Sequence, residues 1–217
     1  MILQNFIVFE GIDGAGTSTQ IEMLKNRPEA RDFLFTAEPT SAPTGKFLRQ
    51  MLKGDFPLQN ESAAYLFAAD RNEHVNGKLL TQGNTLVTGI KEACQSGKKV
   101  VSDRYLFSSL AYQSINCPPE VPRLLNSLFP LPSLLFYFEI SPKDSLSRLG
   151  DRNFREIYEK EDFLNRTVQE YHNVLSEYSE KAKNQGMKIV LIDAKKTKEE
   201  ISANIWQEIK NLPIYDK

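Results

Sequence analysis

The sequence is short of the residues that build covalent or metal frameworks: its 217 residues include two cysteines, two histidines and one tryptophan. Cys94 and Cys117 form neither a C-x-x-C pair nor a zinc-ligand spacing, so reduced thiols are expected rather than a disulfide scaffold. No apolar run reaches the length of a membrane span, and the opening MILQNFIVFEG lacks the basic region, long apolar core and cleavage site of a secretory signal. A cytoplasmic protein is the expectation. An excess of basic charge is also missing: the formal net charge of -1 argues against broad electrostatic binding to nucleic acid, so any anion must be met by local geometry. Nor is there a Pro-, Gly- or Ser-rich linker, an internal repeat or a low-complexity tract, and residues 1–217 therefore read as one domain.

What is present is the composition of an ordinary globular protein, with 41% hydrophobic residues, enough to build a sizeable core. Short apolar runs rich in aromatic and β-branched residues occur at Asn5–Glu10, Phe33–Thr36, Val100–Ser102, Leu134–Ile140 and Lys188–Ile192, and each reads as a buried strand. Between them, Glu61–Leu80, Leu86–Gln95, Glu161–Gln185 and Thr197–Leu212 carry apolar residues at helical spacing. Alternating strand and helix need crossover connections, which predicts a mainly parallel sheet covered by helices, with ligands at the carboxyl ends of the strands.

The segment Gly11-Ile12-Asp13-Gly14-Ala15-Gly16-Thr17-Ser18-Thr19 follows the first strand and precedes a helical stretch. Its spacing is that of the phosphate-binding loop G-x-x-x-x-G-K-[ST] at every position except the lysine, which is Thr17. Glycines there let successive backbone N–H groups point at phosphate oxygens, and the helix start adds its positive end. The Ser18 hydroxyl would ligate a magnesium ion shared with a triphosphate. A ligand-free glycine-rich turn fits the four-position fragment about equally well; its place between strand and helix favours the phosphate loop. The predicted architecture is thus a P-loop NTPase-type, three-layer α/β/α fold on a mainly parallel five-stranded sheet.

Three further segments matter: Tyr65-Leu66-Phe67-Ala68-Ala69-Asp70-Arg71 with His74 following, Ser102-Asp103-Arg104-Tyr105-Leu106-Phe107-Ser108-Ser109-Leu110-Ala111-Tyr112-Gln113, and the arginine-bearing stretch around Arg148, Arg152 and Arg155. Phe67 and Arg71, four apart, share a helical face where a ring can stack on a base while a guanidinium meets its carbonyl edge. Ser108, Ser109, Tyr112 and Gln113 likewise share one side of a predicted helix. Taken singly, each feature has a plainer reading: Phe67 as core, Asp103 in a surface ion pair, the serines and tyrosine as a polar face, the arginines as a solvated helix end.

Read together, these segments resemble the thymidylate kinase family over most of the chain, as a single nucleoside monophosphate kinase domain with a mobile lid around residues 148–159. The resemblance implies transfer of a phosphoryl group from ATP to thymidine monophosphate with Mg2+, and a homodimer. It implies that Phe67 and Arg71 grip the thymine and that Ser108, Ser109, Tyr112 and Gln113 face sugar and base. It also implies that Arg104 holds the acceptor phosphate, Asp103 lies near magnesium, Asp13 positions the acceptor, and Arg148, Arg152 and Arg155 close over the triphosphate. Thr36-Ala37-Glu38-Pro39 is similar to the family's Thr-Arg-Glu-Pro, which puts Glu38 at the acceptor site. With Ala15 in the loop and arginines in the lid, the chain is similar to the lid-arginine type common in bacteria.

The pattern breaks at three places: Thr17 replaces the lysine, Ala37 replaces an arginine, and the interval Asn76–Ser96 is longer than usual. Two cations are therefore absent from their expected positions. Either Lys46, Lys25 or a lid arginine enters the phosphate site, or the chain binds nucleotides without turning them over; a different monophosphate or a deoxynucleoside as acceptor is the other alternative. The retention of Asp13, Ser18, Arg71, Asp103 and Arg104 favours activity. If Arg148 or Arg152 replaces the lysine, Arg148→Ala or Arg152→Ala should cut steady-state turnover about tenfold or more, by the worth of a hydrogen bond to a charged group. Unchanged turnover in both variants would rule this compensation out.

Overall fold

The computed structural model of the chain describes residues 1–80, 86–150, 157–158, 160–182 and 186–212. In chain order the elements are β1 (Ile2–Gly11), α1 (Thr17–Lys25), β2 (Leu34–Ala37), α2 (Pro43–Leu52), α3 (Asn60–Asn76), β3 (Lys78–Leu80), β4 (Leu86–Thr88) and α4 (Ile90–Gln95). They continue with β5 (Val100–Asp103), α5 (Leu106–Gln113), α6 (Glu120–Asn126), β6 (Leu131–Glu139), α7 (Pro142–Leu149), α8 (Glu161–Ala182), β7 (Lys188–Asp193) and α9 (Lys198–Lys210). A short 3-10 turn spans Pro28–Ala30.

Five strands form one sheet in the order β2-β5-β1-β6-β7, and every pairing in it is parallel. The central strands are continuous apolar runs because both of their faces are covered. Phe6, Ile7, Val8 and Phe9 of β1, and Leu134, Leu135 and Phe136 of β6, are fully buried. Each such side chain contributes about 1.5–3 kcal/mol on burial. Register places Phe9 and Ala37 on either side of Asp103, and Gly11 beside Phe138, so the carboxyl ends of β1, β2, β5 and β6 meet at one edge. The order in which strands are added reverses about β1, with β2 and β5 on one side of it and β6 and β7 on the other, and such a reversal opens a crevice at the strand ends.

One expectation fails at residues 78–88. The helical readings Glu61–Leu80 and Leu86–Gln95 run over a two-stranded antiparallel hairpin, in which Lys78 pairs with Thr88 and Leu80 with Leu86. Helix α3 stops at Asn76 and α4 starts only at Ile90. Short apolar runs carry no period of their own, and the pairing of Lys78–Leu80 with Leu86–Thr88 outweighs the helical spacing. This hairpin falls inside the interval Asn76–Ser96, which from the sequence reads as longer than is usual in the family.

Helix α2 and the end of β2 are clamped around Asp70 of α3. The Asp70 carboxylate accepts from the Thr40 N–H at 2.8 Å, the Thr40 hydroxyl at 2.6 Å and the Thr44 hydroxyl at 2.6 Å. Gly45 completes the clamp, because a Cβ there would stand 2.1 Å from the Thr40 carbonyl oxygen. Backbone cannot yield as a flexible side chain does. Gly45→Ala is therefore expected to destabilise the fold by about 3 kcal/mol, seen as a lowered urea midpoint; a midpoint unchanged from wild type would show that the clamp is not rigid.

Candidate active site

The loop after β1 turns on two glycines with positive φ, Gly14 at 78° and Gly16 at 101°. Any side chain at Gly14 would also meet the Ser145 carbonyl oxygen, 2.8 Å from its Cβ. Helix α1 opens at Gly16 without a side-chain cap, so the first-turn N–H groups that every α-helix leaves unsatisfied stand at the wall of a cavity. This cavity, of about 650 Å³, is lined by Ile12 to Gln20 on one side and by Arg148, Leu149, Ala194, Lys196, Lys198 and Ile201 on another. Predicted binding residues Ile12, Asp13, Gly14, Ala15, Gly16, Thr17, Ser18 and Thr19 all line it; Gly11 packs beneath, its Cβ position 3.0 Å from the Ala15 Cβ.

A second cavity of about 240 Å³ lies beside it, lined by Glu38, Phe67, Arg71, Ser108, Ser109, Tyr112 and Gln113, the acceptor set predicted from the sequence, together with Arg49 and Tyr158. Asp13, Ser18, Asp103 and Arg104 belong to the walls of both cavities. The structure thus brings together residues from four strand ends at the junction of a larger and a smaller chamber.

Arg104 forms that junction. Its φ of 71° places it in the left-handed region, where a side-chain-bearing residue is strained. The turn is held by the Arg104 N–H donating to the Phe9 carbonyl at 2.9 Å and by the Ser102 hydroxyl donating to the Arg104 carbonyl at 2.7 Å. Its guanidinium donates to the Gly11 carbonyl at 2.9 Å, the Ser108 hydroxyl at 3.2 Å and the Asp13 carboxylate at 2.5 Å. Next to it, the Ser18 hydroxyl donates to Asp103 Oδ2 at 2.8 Å, while Asp103 Oδ1 is buried without a partner. An unpartnered carboxylate oxygen beside a hydroxyl suits a hard, oxygen-seeking divalent ion.

In the smaller cavity, Arg71 is almost wholly buried. Its Nη1 donates to Asn126 Oδ1 at 2.5 Å, and Nη2 donates to Glu38 Oε2 at 2.6 Å and Ser109 Oγ at 3.1 Å, while Nε has no partner. Glu38 in turn contacts His74 Nδ1 at 2.9 Å, and His74 Nε2 lies 2.6 Å from the Thr36 hydroxyl. Gln113 Oε1 and the Tyr112 hydroxyl are also buried and unpartnered. Burial first, and the Asp13 charge next, push the Tyr112 phenol upward, so it remains a neutral donor. Burial likewise raises the Tyr158 phenol, offset in part by a hydrogen bond from Gln113.

Arg148 donates to the Ala194 carbonyl at 2.6 Å and lines the larger cavity opposite the loop. Arg152 and Arg155 lie outside the described residues, as does most of the predicted lid at 148–159; Ile157 and Tyr158 are its described far end. Neither Lys25 nor Lys46 stands in the wall of the larger cavity, whereas Lys196 and Lys198, which sequence reasoning passed over, do. Arg49 was also missed. It stands on α2, outside the four motif segments, donates to the Pro39 carbonyl and lines the smaller cavity.

A profile of the family described as thymidylate kinase matches residues 9–205, nearly the whole chain. The chain belongs to the thymidylate kinase family. A relative from Methanocaldococcus jannaschii, named probable thymidylate kinase, is 35% identical over 98% of this chain and 100% of its own. Another of that name from Methanococcus aeolicus is 33% identical over 95% and 96%, and a protein of Treponema pallidum, provisionally named a thymidylate kinase, is 35% identical over 96% of both chains.

Glu10 went unnoticed in the sequence, although a carboxylate inside the apolar run of β1 was a visible signal. It is fully buried and accepts from the Tyr105 N–H at 2.8 Å, the Ser108 N–H at 3.1 Å, the Ser108 hydroxyl at 2.6 Å and the Tyr171 hydroxyl at 2.8 Å. Desolvation lifts its pKa from 4.5 to about 7 against the opposing pull of Arg104 and these donors. A carboxyl raised in the folded state binds protons there that the unfolded chain releases, so its contribution is full below pH 4.5 and is lost as pH rises through about 7. Between pH 5 and pH 8, wild type should lose on the order of 3 kcal/mol of stability relative to Glu10→Gln, measured as paired urea midpoints. Parallel pH profiles for the two proteins would contradict this.

Proposed function

We propose that this thymidylate kinase family member binds ATP in the larger cavity and dTMP in the smaller one, and transfers the γ-phosphoryl group across their junction. The observation that carries the reading is the pair of unpartnered groups in the smaller cavity: Arg71 Nε, a donor, and Gln113 Oε1, an acceptor. Thymine presents a carbonyl at C4 and an N–H at N3, which complement that pair. Cytosine presents an amino group and a bare ring nitrogen at the same places, and would leave both protein groups unsatisfied, at a cost of about 1–3 kcal/mol each.

Phosphoryl transfer asks chiefly for alignment and for charge placed where charge develops. The Arg104 guanidinium, fixed by Gly11, Ser108 and Asp13, is a preset cation at the junction, suited to the acceptor phosphate. Asp13 orients it and needs no proton-transfer role. The uncapped start of α1 supplies N–H groups to the donor phosphates. Ser18 and Asp103 would hold magnesium, which when bound neutralises phosphate charge. Arg148, Lys196 and Lys198 face this chamber and can supply the positive charge that Thr17 does not, and Arg49 does so on the side where Ala37 stands. Arg152 and Arg155 keep their proposed place in the lid.

Among the described residues, no helix is long and apolar enough to cross a membrane; a cytoplasmic location is part of this proposal. So is a homodimer, supported by Leu124 and Leu128 at and just beyond α6, which are 74% and 91% exposed. Thr17 and Ala37 favour one rival reading, a nucleotide-binding relative without turnover.

Coupled ADP release with dTMP, dUMP, dCMP and thymidine as acceptors tests the proposal. Turnover should be fastest with the keto-pyrimidine monophosphates and negligible with thymidine, and Gln113→Leu should lower kcat/KM for dTMP about 10- to 100-fold. Protein that binds ATP by calorimetry yet releases no ADP with any acceptor would establish the rival.

A further inference from the structure

The donor that Arg71 offers to a base is only as well placed as its guanidinium, and that group is held from three elements. Glu38, just past β2, and Ser109 of α5 share Nη2, whereas Nη1 has one partner, Asn126 at the end of α6. The rings of Tyr105 and Phe129 lie 5.4 and 5.8 Å from the guanidinium carbon and give contact but no hydrogen-bond direction. Asn126 is 3% exposed, and its own orientation is set, because its Nδ2 donates to the Pro122 carbonyl at 2.8 Å and so turns Oδ1 toward Arg71.

We propose that Asn126 is a positioning residue for pyrimidine selection. It touches no substrate; by fixing Nη1 it sets the plane of the guanidinium and hence the direction in which Nε–H faces the C4 substituent of the base. Without Asn126 the guanidinium can swing about its Nη2 anchor. A keto group then loses an aligned donor, while an amino group meets a weaker mismatch, and the two bases become harder to tell apart. The inference rests on the smaller cavity being the base site.

The experiment compares equilibrium binding of dTMP and dCMP by calorimetry in wild type, Asn126→Ala and Asn126→Asp, with the Kd for ATP as the control for folding. Asn126→Ala should weaken dTMP binding about tenfold or more and shrink the preference for dTMP over dCMP by a similar factor, with ATP binding unchanged. Asn126→Asp keeps an oxygen for Nη1 but loses the donor to Pro122, and should retain the preference to within about threefold. If Asn126→Ala keeps the preference, the contact with Arg71 does not govern selection and the inference is overturned; it is overturned equally if Asn126→Asp loses the preference as fully as the alanine variant does, since the anchoring of α6 is then what matters. Should alanine fail to fold, the aspartate variant alone decides it. Wild type that prefers dTMP without phosphorylating it would undo the proposed kinase activity and leave this inference standing; wild type that phosphorylates dTMP while Asn126→Ala still discriminates would undo the inference alone.

Discussion

Everything at the junction hangs from the bridge that Arg104 makes between two strand ends. Its backbone leaves β5 in a left-handed turn, which costs on the order of 1 kcal/mol or more for a residue with a side chain. The cost is offset by bonds on both sides of the turn and by a guanidinium that spans from the Gly11 carbonyl to the Asp13 carboxylate. Were the turn relaxed to an ordinary conformation, the side chain would leave the phosphate loop, and the wall common to both cavities would be lost. Glu10 backs this arrangement from below, since it gathers the first N–H groups of α5 and the Ser108 hydroxyl that Arg104 also contacts. Burying a carboxylate is costly, and the four donors offset only part of that cost, which is why the Glu10 pKa stays raised.

The two missing cations change where positive charge comes from, not whether the site has any. A lysine inside the loop would place an ammonium among the phosphates at fixed distance. In the proposed function the charges on the donor side come from across the chamber, on Arg148 near the end of α7 and on Lys196 and Lys198 at the start of α9. Long side chains reaching in from a wall lose rotamer freedom when they engage, so their contribution to holding a triphosphate depends on closure more than an in-loop lysine's would. The loop amides remain the fixed part of the phosphate site. In the proposed function the donor site is coupled to the position of α7, because the Arg148 guanidinium is anchored through one nitrogen to the Ala194 carbonyl and has its remaining N–H groups to offer a phosphate.

How much of this was legible in the sequence depended on whether a residue's job showed in its immediate neighbours. The five sheet strands were legible since each is a short apolar run between polar breaks, and the phosphate loop because its spacing is fixed by backbone geometry. Asp103 and Arg104 are legible at the end of a strand, and Asp13 and Ser18 in the loop and helix start that follow the first strand. The hairpin Lys78–Leu80 with Leu86–Thr88 could not, because apolar residues in short runs satisfy helix and strand alike and only pairing decides between them. Arg49 and Asn126 were invisible for a different reason. Arg49 sits on a helix outside any motif, Asn126 acts on a residue 55 positions earlier, and nothing local marks a helix-end asparagine as anything but a cap.

The depth at which the base would be read also explains why so many polar groups are buried together. Asn126, Arg71, Glu38, His74 and Thr36 form one chain of contacts running from α6 through α3 to β2. Such a chain adds little net stability, since each group must be stripped of water before it gains its partner. What it does secure is direction. In a low-dielectric pocket an unaligned donor is worth much less than an aligned one, and a donor left unmatched is costly. Selection between a carbonyl and an amino group, which have nearly the same size, cannot come from shape and must come from that penalty. Residues that never touch the nucleotide thus set the selectivity of the one that does.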